Sequence, residues 1–256
     1  MKGTVITTYK KRGETPLACL ERLRKEQPTL KDETLSYAGR LDPMAEGVML
    51  VLVGDENKNR EKYLALTKEY TFDVLFGFST DTYDLFGKLT NAIDKQSNTR
   101  VSFTKVLDAL DTFRGKFTQV YPPYSSKTVL GKPLFEWARE GKLKEIKIPI
   151  REVEIYESAV VGMQTITSED LWQKIYNDLL LLRGDFRQKE IHDCWEDNLR
   201  TLYGEVFSVA TISLSCSSGT YMRRLADDIG KSVGVPALAS RIVRTKVGEY
   251  DLESRN

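Results

Sequence analysis

The sequence predicts a mixed α+β fold, a mixed sheet flanked by helices, and three observations carry that expectation. An uninterrupted apolar run, Val48 to Val53, closed by Gly54, suits a strand buried on both faces. Tyr70, Phe72, Val74, Phe76 and Phe78 alternate with Thr71, Asp73, Leu75 and Gly77, the period of two of a strand with an aromatic face. Strand and helix patterns are interspersed without strict alternation, which points to a mixed sheet.

In chain order, residues 15–26 (TPLACLERLRKE) read as a short helix: a Thr15 cap, Pro16 next, then Leu17, Leu20 and Leu23 at helical spacing. The strand at 48–53 follows the charged turn YAGRLDPMAEG, and the alternating strand runs into a turn-like STDTYDLFG. Residues 103–113 look helical. Residues 119–142 form a long basic-aromatic segment whose Pro122-Pro123 pair forbids a central strand. Residues 169–182 read as an amphipathic helix capped by Ser168. EVFSVATISLSC is a strand, and the following helix carries Met222, Leu225, Ala226, Ile229 and Val233 on one stripe.

Apolar residues make up 41% and charged residues 29%, ordinary for a globular chain of 256 residues, which can bury a sizeable core. The apolar runs are too short to cross a bilayer. The N-terminal stretch MKGTVITTYKKRGETP lacks an apolar signal core, which predicts a cytoplasmic protein. Three scattered cysteines (Cys19, Cys194, Cys216) and one histidine (His192) argue against a disulfide framework and a zinc site. Net charge is +1, yet residues 1–31 carry eight Lys/Arg against three Asp/Glu, and residues 219–246 six against two. Residues 152–205 carry five against twelve, so an acidic segment masks basic ends. Basic patches rather than totals attract phosphates, which keeps a nucleic-acid partner in view.

Two charges need explaining. Asp42 read alone is a cap: Asp followed by Pro, a short turn, then Gly47. Arg223 and Arg224 fall in the first turn of their helix, where the macrodipole disfavours a cation by roughly 0.3–1 kcal/mol. An anionic ligand or a carboxylate would offset that; a solvated surface arginine is the alternative. Tyr70 reads as one more core aromatic on its strand. Residue patterns alone reach a protein of mixed fold with basic ends.

Several stretches, in order, resemble the bacterial TruB-type tRNA pseudouridine synthases. AGRLDPMAEGVMLVLVGDENK is similar to the family's catalytic loop and strand, with Asp42 at the catalytic aspartate. KEYTFDVLFGFSTDTYDLFG is similar to the segment holding the active-site tyrosine, here Tyr70, and a downstream aspartate, here Asp84. YPPYSSKTVLGKPLFEWAREG resembles the RNA-gripping thumb, CSSGTYMRRLADDIGKSVG the segment with the active-site arginine, here Arg223, and LASRIVRTKVGEY the end of the catalytic domain, with Ile242 at an apolar pocket position. The resemblance covers roughly residues 1–160 and 205–252. It implies a largely antiparallel mixed sheet flanked by helices and loops, the pseudouridine synthase fold.

It also implies roles. Asp42 would be the nucleophile, Arg223 would keep it ionised and oriented, and Asp84 would brace that arginine from behind. Tyr70 would stack on the flipped uracil and sit for proton transfer at the sugar, and Ile242 would close the pocket. Arg40 shapes its lip, and Tyr221 and Arg244 join the substrate-binding set. Lys10 in the N-terminal basic cluster, with Lys127, Lys132 and Arg139 on the thumb, would hold RNA, the aromatics among them suiting splayed bases. No metal or organic cofactor is implied, and the chain is expected to act as a monomer on the T-arm of tRNA.

Three departures from the family pattern stand out. Tyr37 occupies the place of the family's histidine, which helps position the flipped nucleotide. The chain ends at Asn256 where the family continues into a small PUA domain, so one catalytic domain spanning 1–256 without PUA is expected. Residues 161–204 read as an acidic, helical insertion that decorates an edge or recruits a partner. The competing readings are an RNA-binding chaperone of the same fold that has lost activity, and a synthase with another RNA target.

Overall fold

The computed structural model describes residues 3–94 and 100–253. The chain opens with β1 (Thr4–Lys10) and α1 (Pro16–Glu26), whose Thr15 hydroxyl accepts the Ala18 amide as its cap. β2 (Leu35–Ala38) and β3 (Ala45–Val53) enclose the turn 39–44, and α2 (Arg60–Ala65) follows. β4 (Lys68–Phe76) stops where Gly77 takes a φ of 113°, and β5 (Phe78–Thr80) starts a separate hairpin with β6 (Leu89–Ala92). The aromatic run is therefore two strands, because the left-handed glycine turns the chain out of the first sheet.

After α3 (Phe103–Asp111) and β7 (Gly115–Val120) comes the stretch 121–142, irregular around Pro122-Pro123. It carries the short strands β8 (Thr128–Val129) and β9 (Lys132–Pro133) and the helix α4 (Leu134–Arg139). The chain continues through β10 (Ile150–Thr167), α5 (Ser168–Leu180), α6 (Gln188–Thr201), β11 (Val206–Cys216), α7 (Met222–Val233) and β12 (Ala237–Val247).

The main sheet has the order β1-β3-β12-β4-β11-β10-β7, with β2 beside β3. Its pairings are antiparallel except one: Ile242–Arg244 of β12 run parallel to Ala45–Gly47 of β3. Further along β3, β2 takes over the same edge, opposite Leu50 to Val53. The turn 39–44 rises beside this change of neighbour. Gly47 allows the close approach, since a Cβ there would lie 2.2 Å from the Arg244 carbonyl oxygen. β3 is buried on both faces as its sequence predicts. Val48, Leu50 and Leu52 pack with Tyr63 and Val247, while Met49, Val51 and Val53 pack against Leu20 and Leu23 of α1.

Two expectations need correction. Thr167, not Ser168, caps α5: its hydroxyl accepts the Asp170 amide, while Ser168 is already helical and accepts from the Gly204 amide. The segment 161–204 is also no edge decoration. Its first residues continue β10 against β11, and Leu171, Ile175, Ile191, Trp195 and Leu199 enter the main hydrophobic core. Trp195 is fully buried, 5.2 Å from the Phe78 ring, and donates to the Gly87 carbonyl at 3.1 Å. Trp195→Ala should cost about 3–5 kcal/mol of unfolding free energy in a urea titration, the range for deleting a buried large aromatic. A loss under about 1 kcal/mol would make these helices a separable appendage.

Candidate active site

Asp42 sits in the turn 39–44, and that turn is held at several points. Its Ala45 end receives the Lys10 ammonium on a carbonyl at 2.5 Å, and the Pro43 carbonyl accepts the Gly13 amide at 2.8 Å. At the other end, Arg244 donates from Nη2 to the Gly39 carbonyl at 2.9 Å and from Nε to the Val48 carbonyl at 2.7 Å. Side chains thus supply hydrogen bonds where the β-ladder changes neighbour.

The Asp42 carboxylate accepts from Arg223 Nε at 2.9 Å and lies 2.8 Å from its Nη2. Arg223, in the first turn of α7, also donates to the Thr82 carbonyl at 2.6 Å and the Tyr124 carbonyl at 3.2 Å. Asp84 stands behind it, 3.5 Å from Nε, and accepts from the Thr82 hydroxyl and the Phe86 amide. Burial would weaken the guanidinium's hold on its proton, but the charges of Asp42 and Asp84 outweigh it and raise the value. Burial pushes the Asp84 carboxyl up, against the pull of Arg223. The carboxylates answer the question of a cation at a helix N-terminus. Arg223 and Asp84 side chains are 4% and 5% exposed against 30% for Asp42, so Asp42 is the member that faces solvent.

That face opens on a cavity of about 480 Å³ lined by Asp42, Tyr70, Tyr221, Ile242 and Arg244 among others. The size suits one nucleotide-sized ligand. Burial raises the Tyr70 hydroxyl, with the Arg244 charge beside it opposing, so the phenol stays protonated at neutral pH. Burial likewise pushes Tyr221 up to about 12. Gln119 clamps the backbone of Tyr221 from both sides, accepting its amide at 2.8 Å and donating to its carbonyl at 3.2 Å. Ile242 is 4% exposed and supplies an apolar wall. A second cavity of about 360 Å³ lies on the other side of Asp42, and Arg40, which is exposed, lines both.

Asp42, Tyr70, Arg223, Tyr221, Ile242 and Arg40 thus come together as the sequence suggests, with Asp84 behind them. Others do not. Lys10 is fully buried and spends its ammonium on the Ala45 and Lys11 carbonyls, so it braces the turn and does not meet a phosphate. Tyr37 packs on the cluster under α1, away from both cavities. Arg244 lines the cavity but is 1% exposed, its Nε and Nη2 spent on backbone carbonyls. Lys132 pairs with Glu140 over the Trp137 ring, and Arg139 pairs with Asp185, whereas Lys127 is exposed over the Tyr121 ring. Sequence reasoning missed Gln119 and Lys68, and it missed Phe186 and Arg187, which the acidic segment brings to the second cavity. Lys68 lies in the quoted KEYTF stretch, a local signal; the others give none.

A family profile described as TruB family pseudouridylate synthase (N-terminal domain) matches residues 27–171. The tRNA pseudouridine synthase B of Bacillus cytotoxicus is 32% identical over 253 residues, 98% of this chain and 68% of that protein. The protein of the same name from Caldanaerobacter subterraneus subsp. tengcongensis is 31% identical over 250 residues, covering 98% and 70%. Among solved structures, a chain of a Cbf5-Nop10-Gar1 complex superposes with a TM-score of 0.58 at 18% identity, a likeness of fold. The match covers 97% of this chain and spans half the length of that one.

Lys68 makes the site's electrostatics testable. It is 4% exposed, donates to the Leu64 and Leu66 carbonyls, and burial lowers its ammonium to about 8 from 10.5. The unfolded chain then holds this proton more tightly than the folded one, so stability rises as pH climbs from 8 to 10.5 and is lost as pH falls through 8. Lys68→Met abolishes the titration. The unfolding free energy of the wild type minus that of Lys68→Met should therefore increase between about pH 8 and 10, by at most about 1.4 kcal/mol per pH unit, in urea titrations. A flat or falling difference would show an ordinary ammonium.

Proposed function

This chain belongs to the TruB family of pseudouridylate synthases, and on that premise we propose that it isomerises a uridine of tRNA to pseudouridine, in the T-arm loop, with Asp42 as nucleophile. The observation that carries the reading is a partly exposed carboxylate, fixed by a buried arginine, at the mouth of a cavity walled by Tyr70 and Ile242.

Isomerisation breaks the C1′–N1 bond, turns the base and forms C1′–C5, with a proton leaving C5 and one arriving at N1. Atoms balance within the substrate. The base must leave its stack before a side chain can reach it. A carboxylate suits the nucleophile, being ionised at neutral pH and able to leave again. Arg223 holds it by charge-assisted hydrogen bonds without competing for the substrate, since Arg223 is itself buried. Tyr70 offers a ring to stack on, worth about 1–3 kcal/mol per base, and a protonated hydroxyl that can donate. Ile242 faces the same space.

All of these groups come from one chain, which supports a monomer as the acting unit. Among the described residues no helix is long and apolar enough to cross a membrane, and a tRNA substrate supports a cytoplasmic location. The inactive-chaperone reading is not favoured, because Asp42, Tyr70 and Arg223 are all retained and line one cavity.

Two measurements test this function. Asp42→Asn should abolish pseudouridine formation in chemical mapping while RNA affinity stays within a few-fold; substantial turnover would remove Asp42 from the nucleophile role. On the basic stretch, Lys127 pairs with no carboxylate among the described residues, unlike Lys132 and Arg139. Lys127→Ala should flatten the log–log salt dependence of RNA binding by up to about 0.9, and Lys132→Ala by less. Equal effects would mean that RNA displaces Glu140 from Lys132.

A further inference from the structure

The loop between α5 and α6 reaches the back of the active site. Arg187 donates from Nη1 to Asp81 Oδ2 at 2.6 Å and from Nη2 to Oδ1 at 3.2 Å, the two-point fork that arginine makes with a carboxylate. Its guanidinium carbon also lies 4.3 Å from the centre of the Tyr124 ring. The pair is mostly buried, with 13% and 22% side-chain exposure. Arg187 holds a φ of 62°, in the left-handed region that residues with a side chain adopt only when their surroundings impose it.

The two residues it ties together are informative. Asp81 precedes Thr82, whose carbonyl accepts Arg223 Nη1 at 2.6 Å, and Tyr124 itself supplies the carbonyl that accepts Arg223 Nη2 at 3.2 Å. Both backbone anchors of the buried arginine are therefore stapled from outside by one side chain. Resting on the proposed function, we infer that Arg187 is a positioning residue: it fixes the carbonyls of Thr82 and Tyr124, which orient Arg223, which orients Asp42. A lysine keeps the charge but supplies neither the fork nor the flat face over Tyr124. The acidic segment thus contributes to turnover through three residues without touching the reacting atoms.

The test uses the full chain with Arg187→Lys and Arg187→Ala, each with Asp81→Asn as a double variant. Single-turnover pseudouridine formation at saturating tRNA should fall by at least ~10-fold, about 1.4 kcal/mol of barrier, while the Kd for tRNA changes little. Each double variant should be no slower than its slower single variant, as expected for residues acting as one unit. In the free protein, the Arg223 Nε–H resonance should be protected from solvent exchange in the wild type and lose protection in Arg187→Lys. If Arg187→Ala does not fold, Arg187→Lys, which keeps bulk and charge, decides. An unchanged saturating rate, a loss of affinity alone, or intact Arg223 protection would each overturn the positioning role. An inactive wild type would instead count against the proposed function, and the exchange measurement would still judge Arg187.

Discussion

The buried guanidinium of Arg223 is the group on which the site depends. Taking a cation out of water costs several kcal/mol, recovered only when its donors are fully engaged. Here the partners come from three separate parts of the chain, Asp42 in the β2–β3 turn, Thr82 and Asp84 in the β5–β6 hairpin and Tyr124 in the stretch before β8, and the guanidinium joins them to a fourth segment, α7. One side chain therefore cross-links elements that the sheet alone would leave independent. Removing a partner would strand a charge in the interior, so the constraint is on all four segments at once.

The charges also bear on which carboxylate would be the nucleophile in the proposed reaction. Arg223 sits between two, and burial separates their roles. Asp84 is enclosed and spends its oxygens on Thr82, Phe86 and the arginine, whereas Asp42 keeps an open side toward the cavity. Lys10 adds a second buried cation whose proton is favoured by the Asp42 charge, although burial lowers it to about 8. With Arg244 and Lys68, also buried and lining the same cavity, cations outnumber this pair of carboxylates. In the proposed reaction, bond formation at Asp42 would consume one negative charge and leave a surplus of positive charge beside an RNA backbone.

How much of this was legible in the sequence depended on the reach of each interaction. The apolar run of β3 and the Thr15 cap of α1 are local, and they fold as read. Arg223 announced itself because a cation in a helix's first turn is a local oddity that demands a partner. Period-two and residue type do not say which neighbour a side chain meets, so the sequence does not show that Tyr37 packs under α1, that Lys10 braces the Asp42 turn, or that Arg244 spends its Nε and Nη2 on backbone carbonyls while lining the cavity. Arg187 left no local trace. Its partner Asp81 is 106 residues away, and within its own stretch it is one more charge in an acidic, helical segment. The same distance hides Gln119, 102 residues from the Tyr221 backbone it clamps.

Rigidity in the Asp42 turn follows from the seam where β3 exchanges β12 for β2 as its neighbour. A continuous ladder along β3 would consume its edge and leave no room for a turn to rise beside it. A gap in the ladder would leave backbone carbonyls without donors, costly if buried. The chain resolves this with two side chains. Lys10 satisfies the Ala45 carbonyl at one foot of the turn, and Arg244 satisfies Val48 and Gly39 at the other, while Gly47 permits β12 to approach closely enough for the parallel pairing. The two cations replace ladder bonds and fix the turn at both ends, so Asp42 reaches its position before substrate arrives. Orientation set in advance is what lets a carboxylate act as a nucleophile without reorganising at the moment of reaction.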